Sequence, residues 1–141
     1  MITIQYAASK KGVPTAAQLQ HYAKTVLAAK HVQHAEITIR IVDADEIQAL
    51  NKQYRNQNKP TDILSFTHQS DPLIGDIAIC ASVVNQAAID QGKDAHAHWA
   101  HLVVHGMLHL LSFDHMRDED AAVMEQAEIA ILAKLGVDDP Y

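Results

Sequence analysis

Cysteine is nearly absent from this chain. Cys80 is the only one, which excludes a disulfide framework and any cysteine-built zinc site and fits a reducing compartment. Long apolar runs are missing too: the longest, Ile77 to Ala81 and Ile129 to Ala133, have five residues, far short of the roughly 18 that a membrane span needs. Met1-Ile2-Thr3-Ile4-Gln5-Tyr6 lacks the basic start and apolar stretch of a signal peptide, so the expectation is a cytoplasmic protein with no membrane partner. Glycine and proline are scarce, at five and four, and no linker, repeat or low-complexity block interrupts the 141 residues. Residues 1–141 therefore read as one soluble domain, long enough to bury about 68% of its unfolded surface. Aromatic residues make up only 5% of the chain. Histidine, in contrast, is abundant: six of the ten lie between His96 and His115.

The net charge of −6 argues at first against a nucleic-acid partner, because phosphate backbones are bound mainly by Lys and Arg. Its distribution changes that reading. Residues 1–113 carry nine acids and nine bases, whereas residues 114–141 carry eight acids against Arg117 and Lys134, which accounts for the whole −6. Between Ile47 and Thr61 there is no acid, and Lys52, Arg55 and Lys59 stand among Asn and Gln residues. The plain reading of that stretch is a solvated helix end and loop; the functional one is contact with phosphate oxygens.

Periodicity places four strand candidates at Ile2–Ala7, Glu36–Val42, Asp62–Phe66 and Asp76–Ala81. Helical spacing runs through Leu19, Tyr22, Ala23, Val26 and Leu27, with Pro14 near the first turn. Asp43, with Glu46 three residues on, predicts the cap of a second helix whose buried stripe is Ile47, Leu50 and Tyr54. Val83, Val84, Ala87 and Ala88 predict a third, ended by Gly92; a fourth runs from about His96 to Leu111; and a fifth from about Glu119 to Leu135, with Asp118 as cap and Gly136 beyond. The expected fold is α/β of the α+β type. A small mixed four-stranded sheet is packed by about five helices, with one parallel crossover, one antiparallel hairpin, and a metal site on a central buried helix.

That helix carries His98, His101, His105 and His109 within an arc of about 80° while Leu, Val and Met cover most of its remaining surface. His105 and His109 form an i, i+4 pair, which can bring two ring nitrogens to one ion at the ~2.0–2.1 Å that zinc requires. His101 cannot join both, since its Cα lies about 12 Å along the helix from that of His109. Ser112-Phe113-Asp114 breaks the periodicity and allows His115 to return as third ligand, with water in the fourth position, which is a catalytic rather than a structural arrangement. A lone buried histidine is more often a satisfied core residue. That reading stays open for His98 and for His101, which could equally pair with His105 in another site, orient a ligand or bond a backbone carbonyl, the last two together being favoured. His96 points away and reads as surface. Where metalloproteases carry a glutamate base beside the first histidine, this chain has Gly106.

Residues 105–115 resemble the signature His-Gly-x-Leu-His-Leu-x-Gly-Tyr-Asp-His of the YbeY family of bacterial metal-dependent endoribonucleases, departing at Ser112 and Phe113. Asn51, Tyr54, Arg55 and the run Lys59-Pro60-Thr61-Asp62-Ile63-Leu64-Ser65-Phe66 resemble its second motif, and Gly75-Asp76-Ile77 its third. In the left-handed conformation that glycine takes without strain, Ser112 would cost up to about 1–2 kcal/mol. Phe113 lacks the hydroxyl of Tyr.

The resemblance implies cleavage of single-stranded RNA, 3′-end maturation of small-subunit (16S) rRNA and ribosome quality control. It implies one Zn²⁺ per chain on His105, His109 and His115, with Arg55 the functionally important basic residue. Partners implied are small-subunit rRNA, small-subunit ribosomal proteins and the Era GTPase. Physical chemistry assigns the roles: zinc can bring the pKa of its water at His105 to about 7, making it nucleophile or base, while Arg55 offers a planar fork to the phosphate, assisted by Lys59 and Lys52. Asp114 is the expected carboxylate holding a ligand imidazole, with His101 beside it. Tyr54 and Trp99 are the only candidate base-stacking platforms, and both read as core. The alternatives are a zinc hydrolase on a peptide or small ester, and a non-enzymatic assembly factor with a structural metal. An all-histidine set also suits nickel or copper.

Overall fold

The computed structural model describes residues 1–111 and 118–141. The elements in chain order are β1 (Ile2–Tyr6), α1 (Ala16–Ala29), β2 (Ala35–Val42), α2 (Ala44–Arg55), β3 (Ile63–Ser70), β4 (Leu73–Cys80), α3 (Ala81–Asp90), α4 (Ala95–Leu110) and α5 (Asp118–Lys134). The sheet runs β1-β2-β4-β3, with β1, β2 and β4 parallel and β3 antiparallel at the edge. This is the expected mixed four-stranded α/β domain. Among the described residues no helix is long and apolar enough to cross a membrane.

Local chemistry sets the boundaries, and in places moves them from expectation. Thr15 caps α1, which puts Pro14 just before the cap and not in the first turn: the Thr15 side chain accepts from Gln18 N while Gln18 Oε1 accepts from Thr15 N at 2.8 Å, a reciprocal capping box. Asp43 caps α2 as predicted through Glu46 N at 2.8 Å, but the Glu46 carboxylate turns to Arg40, at 2.7 Å. The hairpin is tighter than Phe66–Asp76, because β3 and β4 continue outward to Ser70 and Leu73. Pairing with β4 holds those additional polar residues in the strand although they show no apolar alternation.

The sheet's two faces bury different sets, as strand alternation requires. Ile37, Ile39, Ile41, Ile77 and Ile79 pack under α1, α4 and α5, whereas Val42, Leu64, Ala78 and Cys80 join Ile47 of α2. Tyr54 departs from the expected stripe and is 59% exposed. Asn51 is the buried residue there instead, and its Nδ2 donates to Lys59 O at 2.9 Å, holding the basic loop against the helix. Tyr54 rests on Phe66, with ring centroids 4.9 Å apart.

Helix α4 lies close over β3, and two glycines permit it. A Cβ on Gly106 would stand 2.7 Å from Ile63 Cδ1 and 3.3 Å from Ser65 Oγ; one on Gly75 would stand 3.0 Å from the Phe66 carbonyl and 2.9 Å from Leu110 Cδ2. Ser65 donates to Gly106 O at 3.1 Å, and Thr67 donates at 3.2 Å to Leu110 O, a carbonyl with no partner within its helix. Trp99, on the same helix, is core as expected, 1% exposed, and its Nε1 donates to Asn85 Oδ1 at 2.8 Å. Truncating Trp99 to Ala should cost about 3–5 kcal/mol and lower Tm by roughly 10–15 °C in thermal melts. A shift of a degree or two would show that the α3–α4 contact contributes little.

Candidate metal centre

Ten of the sixteen residues of α4 are buried, and its remaining line carries His101, His105 and His109, all half-buried. His105 Nε2 and His109 Nε2 stand 2.9 Å apart. Two ligands at ~2.0–2.1 Å on one tetrahedral ion have donor atoms about 3.3 Å apart, so one turn of helix has brought this pair close to ligating separation. Among the described residues no third His, Cys, Asp or Glu completes a set around them. The expected third ligand, His115, and the expected supporting carboxylate, Asp114, lie outside the described residues.

Another carboxylate is present. Glu128 of α5 is 0% exposed, and its Oε1 accepts from His105 Nδ1 at 2.5 Å. Its Oε2 accepts from His101 Nε2 at 2.8 Å and from the Tyr141 hydroxyl. His101 therefore meets a carboxylate rather than a backbone carbonyl. Burial acts to raise the Glu128 pKa, but the bonds from His101, His105 and Tyr141 outweigh it and hold the group down at about 2. The Tyr141 hydroxyl is pushed up, first by burial and then by the Glu128 charge. Neither residue figured among the sequence-based candidates. Glu128 had a legible signal, standing with Met124, Ile131 and Leu132 at the helical spacing of a buried face; Tyr141 had none.

His98 continues the stripe but is a buried residue, and neither ring nitrogen has a hydrogen-bond partner among the described residues. Burial lowers its pKa, with Lys93 and His101 acting in the same direction and Asp62 opposing. Above pH 6.5 the ring is neutral folded or unfolded, so it imposes no penalty. Below that value the unfolded chain takes the proton more readily, and stability falls until the pH passes the lower folded value. His98→Phe should remove this component, at most about 1.4 kcal/mol per pH unit for one proton. Melts of both proteins at pH 7.5 and 5.5 check it, and parallel losses would disprove it.

The basic stretch runs from the last turn of α2 into the loop that leads to β3. Lys52 and Arg55 are exposed in the last turn of α2, Lys59 is exposed in the loop that follows, and Arg55 makes no ion pair among the described residues. Asn56 closes the helix in the left-handed conformation, and Gln48 holds Asn58 at 3.1 Å. A cleft of about 700 Å³, lined by Tyr22, Lys93, His98, His101 and residues 135–140, reaches the upper stripe but neither His105 nor His109. His96 is exposed, as expected.

The sequence model of the family described as Endoribonuclease YbeY matches residues 3–136. The chain belongs to the YbeY endoribonuclease family. A YbeY relative from Nitrosomonas europaea, named Endoribonuclease YbeY, is 44% identical over the whole chain and 84% of its own length. The solution structure of TM1509 from Thermotoga maritima superposes with a TM-score of 0.65 at 24% identity, covering 96% of this chain and 91% of that one, and so shares the fold. The YbeY family is one of RNA-cleaving hydrolases. Gly106 stands where a side chain would meet close neighbours. A glutamate at this position, as metalloproteases have, would collide with Ile63 and Ser65.

Proposed function

We propose that this chain is a zinc-dependent endoribonuclease that cuts single-stranded RNA, acting in the cytoplasm on the 3′ end of small-subunit 16S rRNA and in ribosome quality control. The observation that carries the metal chemistry is the approach of His105 Nε2 and His109 Nε2 to 2.9 Å on a buried helix, within a family of endoribonucleases. His105 and His109 would hold one zinc, with His115 as third ligand by its place in the motif. Bound there, zinc would polarise a phosphoryl oxygen and acidify a water.

The chain's own groups do the rest. Arg55, exposed and unpaired among the described residues, presents a planar fork to two phosphate oxygens and opposes the charge that grows on the phosphate in the transition state. Lys59 and Lys52 hold the neighbouring phosphates, and Asn51 fixes the loop that carries Lys59. Tyr54, being exposed, adds an aromatic face beside these cations that a base can stack on. Small-subunit rRNA, small-subunit ribosomal proteins and the Era GTPase are the partners this reading entails.

The test incubates the zinc-loaded protein with labelled single-stranded RNA, duplex RNA and a peptide, with and without chelator. Arg55→Ala and His109→Ala, prepared identically, control for contaminating nuclease. Chelator-sensitive cutting confined to single strands, and lost in folded variants, supports the reading. Intact RNA in every lane defeats it; peptide cleavage would mark another hydrolase, and melting on chelation without any cutting a structural metal.

A further inference from the structure

The carboxylate of Glu128 is wholly buried and accepts three hydrogen bonds. Its two oxygens serve different partners. Oε1 receives His105 Nδ1 at 2.5 Å, and Oε2 receives His101 Nε2 at 2.8 Å together with the Tyr141 hydroxyl. A carboxylate in this position is purely an acceptor, so the proton of each contact belongs to the partner. On His105 that assigns the hydrogen to Nδ1, and a neutral imidazole carries only one. Its Nε2 then keeps a lone pair, and Nε2 is the atom 2.9 Å from His109 Nε2. The contacts on Oε2 prevent the carboxylate from rotating out of this arrangement.

We propose that Glu128 is a positioning residue that locks His105 in the Nδ1–H tautomer and thereby aims its Nε2 lone pair at the point it shares with His109. The assignment deepens the metal-centre reading and rests on it for its purpose, since a lone pair held at that point serves a cation. Orientation of a ligand imidazole by a carboxylate on its far nitrogen fixes the ring and raises its basicity, and loss of such a contact typically weakens metal binding 10- to 100-fold. Glu128 comes 23 residues after His105, from a different helix, so the contact is tertiary.

Nitrogen-15 NMR of histidine-labelled, metal-free protein reads the tautomer directly, and competition against a chromogenic chelator reads zinc affinity. The expected results are His105 protonated on Nδ1 and bare on Nε2 in the wild type. In Glu128→Gln the tautomer is no longer single and zinc affinity falls about 10- to 100-fold in protein that keeps its circular dichroism. A merely structural carboxylate would move the Tm and leave tautomer and affinity alone. His105 protonated on Nε2 in the wild type, as neutral ring or cation, overturns the assignment, as does a Glu128→Gln protein that binds zinc as tightly as wild type. Should Glu128→Gln not fold, the wild-type spectrum decides alone. A wild type that binds no zinc, yet shows the Nδ1–H tautomer, separates failure of the metal reading from failure of this one.

Discussion

RNA cleavage by His109→Ala should fall at least about a thousand-fold, to the level of the chelated wild type. Several kcal/mol of transition-state stabilisation are asked of the metal, and each 1.36 kcal/mol is a factor of ten. His109 is half-buried on the outer line of α4, and the packing of that helix on β3 runs through Gly106, Ser65 and Thr67 instead. The variant should therefore keep its circular dichroism while losing zinc and activity together. Single-turnover cleavage with measured metal content is the check. Activity retained in a zinc-free preparation would remove the metal from the mechanism.

Arg55→Ala should lower cleavage about 100- to 1,000-fold, the usual effect of removing one preorganised donor from a transition-state charge. Its distinguishing mark is that zinc content and Tm stay at wild-type values, because Arg55 is exposed and makes no ion pair among the described residues. Arg55→Lys should recover only a small part, since a point charge replaces a two-pronged donor. Two measurements decide: kcat on a short single strand, and the salt dependence of binding. If kcat is unchanged and only binding weakens, Arg55 grips a distant phosphate and does not serve the reacting one.

Much of the frame was legible in the sequence because its signals are local. Asp43 with Glu46 marked α2, the alternation of Ile37, Ile39 and Ile41 marked β2, and Gly92 and Gly136 stand at positive φ beyond their helices. The expectations that moved did so because tertiary context outweighed a local pattern. Tyr54 fell at a stripe position, yet the turn to Lys59 gave Asn51 the buried place and a carbonyl to bind. The acidic count of residues 114–141 took Glu128 as one acid among eight, whereas the fold buries it under α4. No spacing rule relates residue 128 to residues 101, 105 and 141; only the docking of α5 on α4 does. The helix-borne half of the site was thus readable as periodicity, and its support was not.

The span from His105 to Glu128 also bears on how the protein is made. Synthesis is vectorial, and a growing chain that has completed α4 already displays His101, His105 and His109 while the acceptor for two of them has still to be translated. Until α5 folds back, the Glu128 carboxylate is not in place beside His101 and His105. The order of residues along the chain therefore puts assembly of this centre after translation of α5, so that the histidines are the earlier part to appear and the carboxylate that arranges them the later.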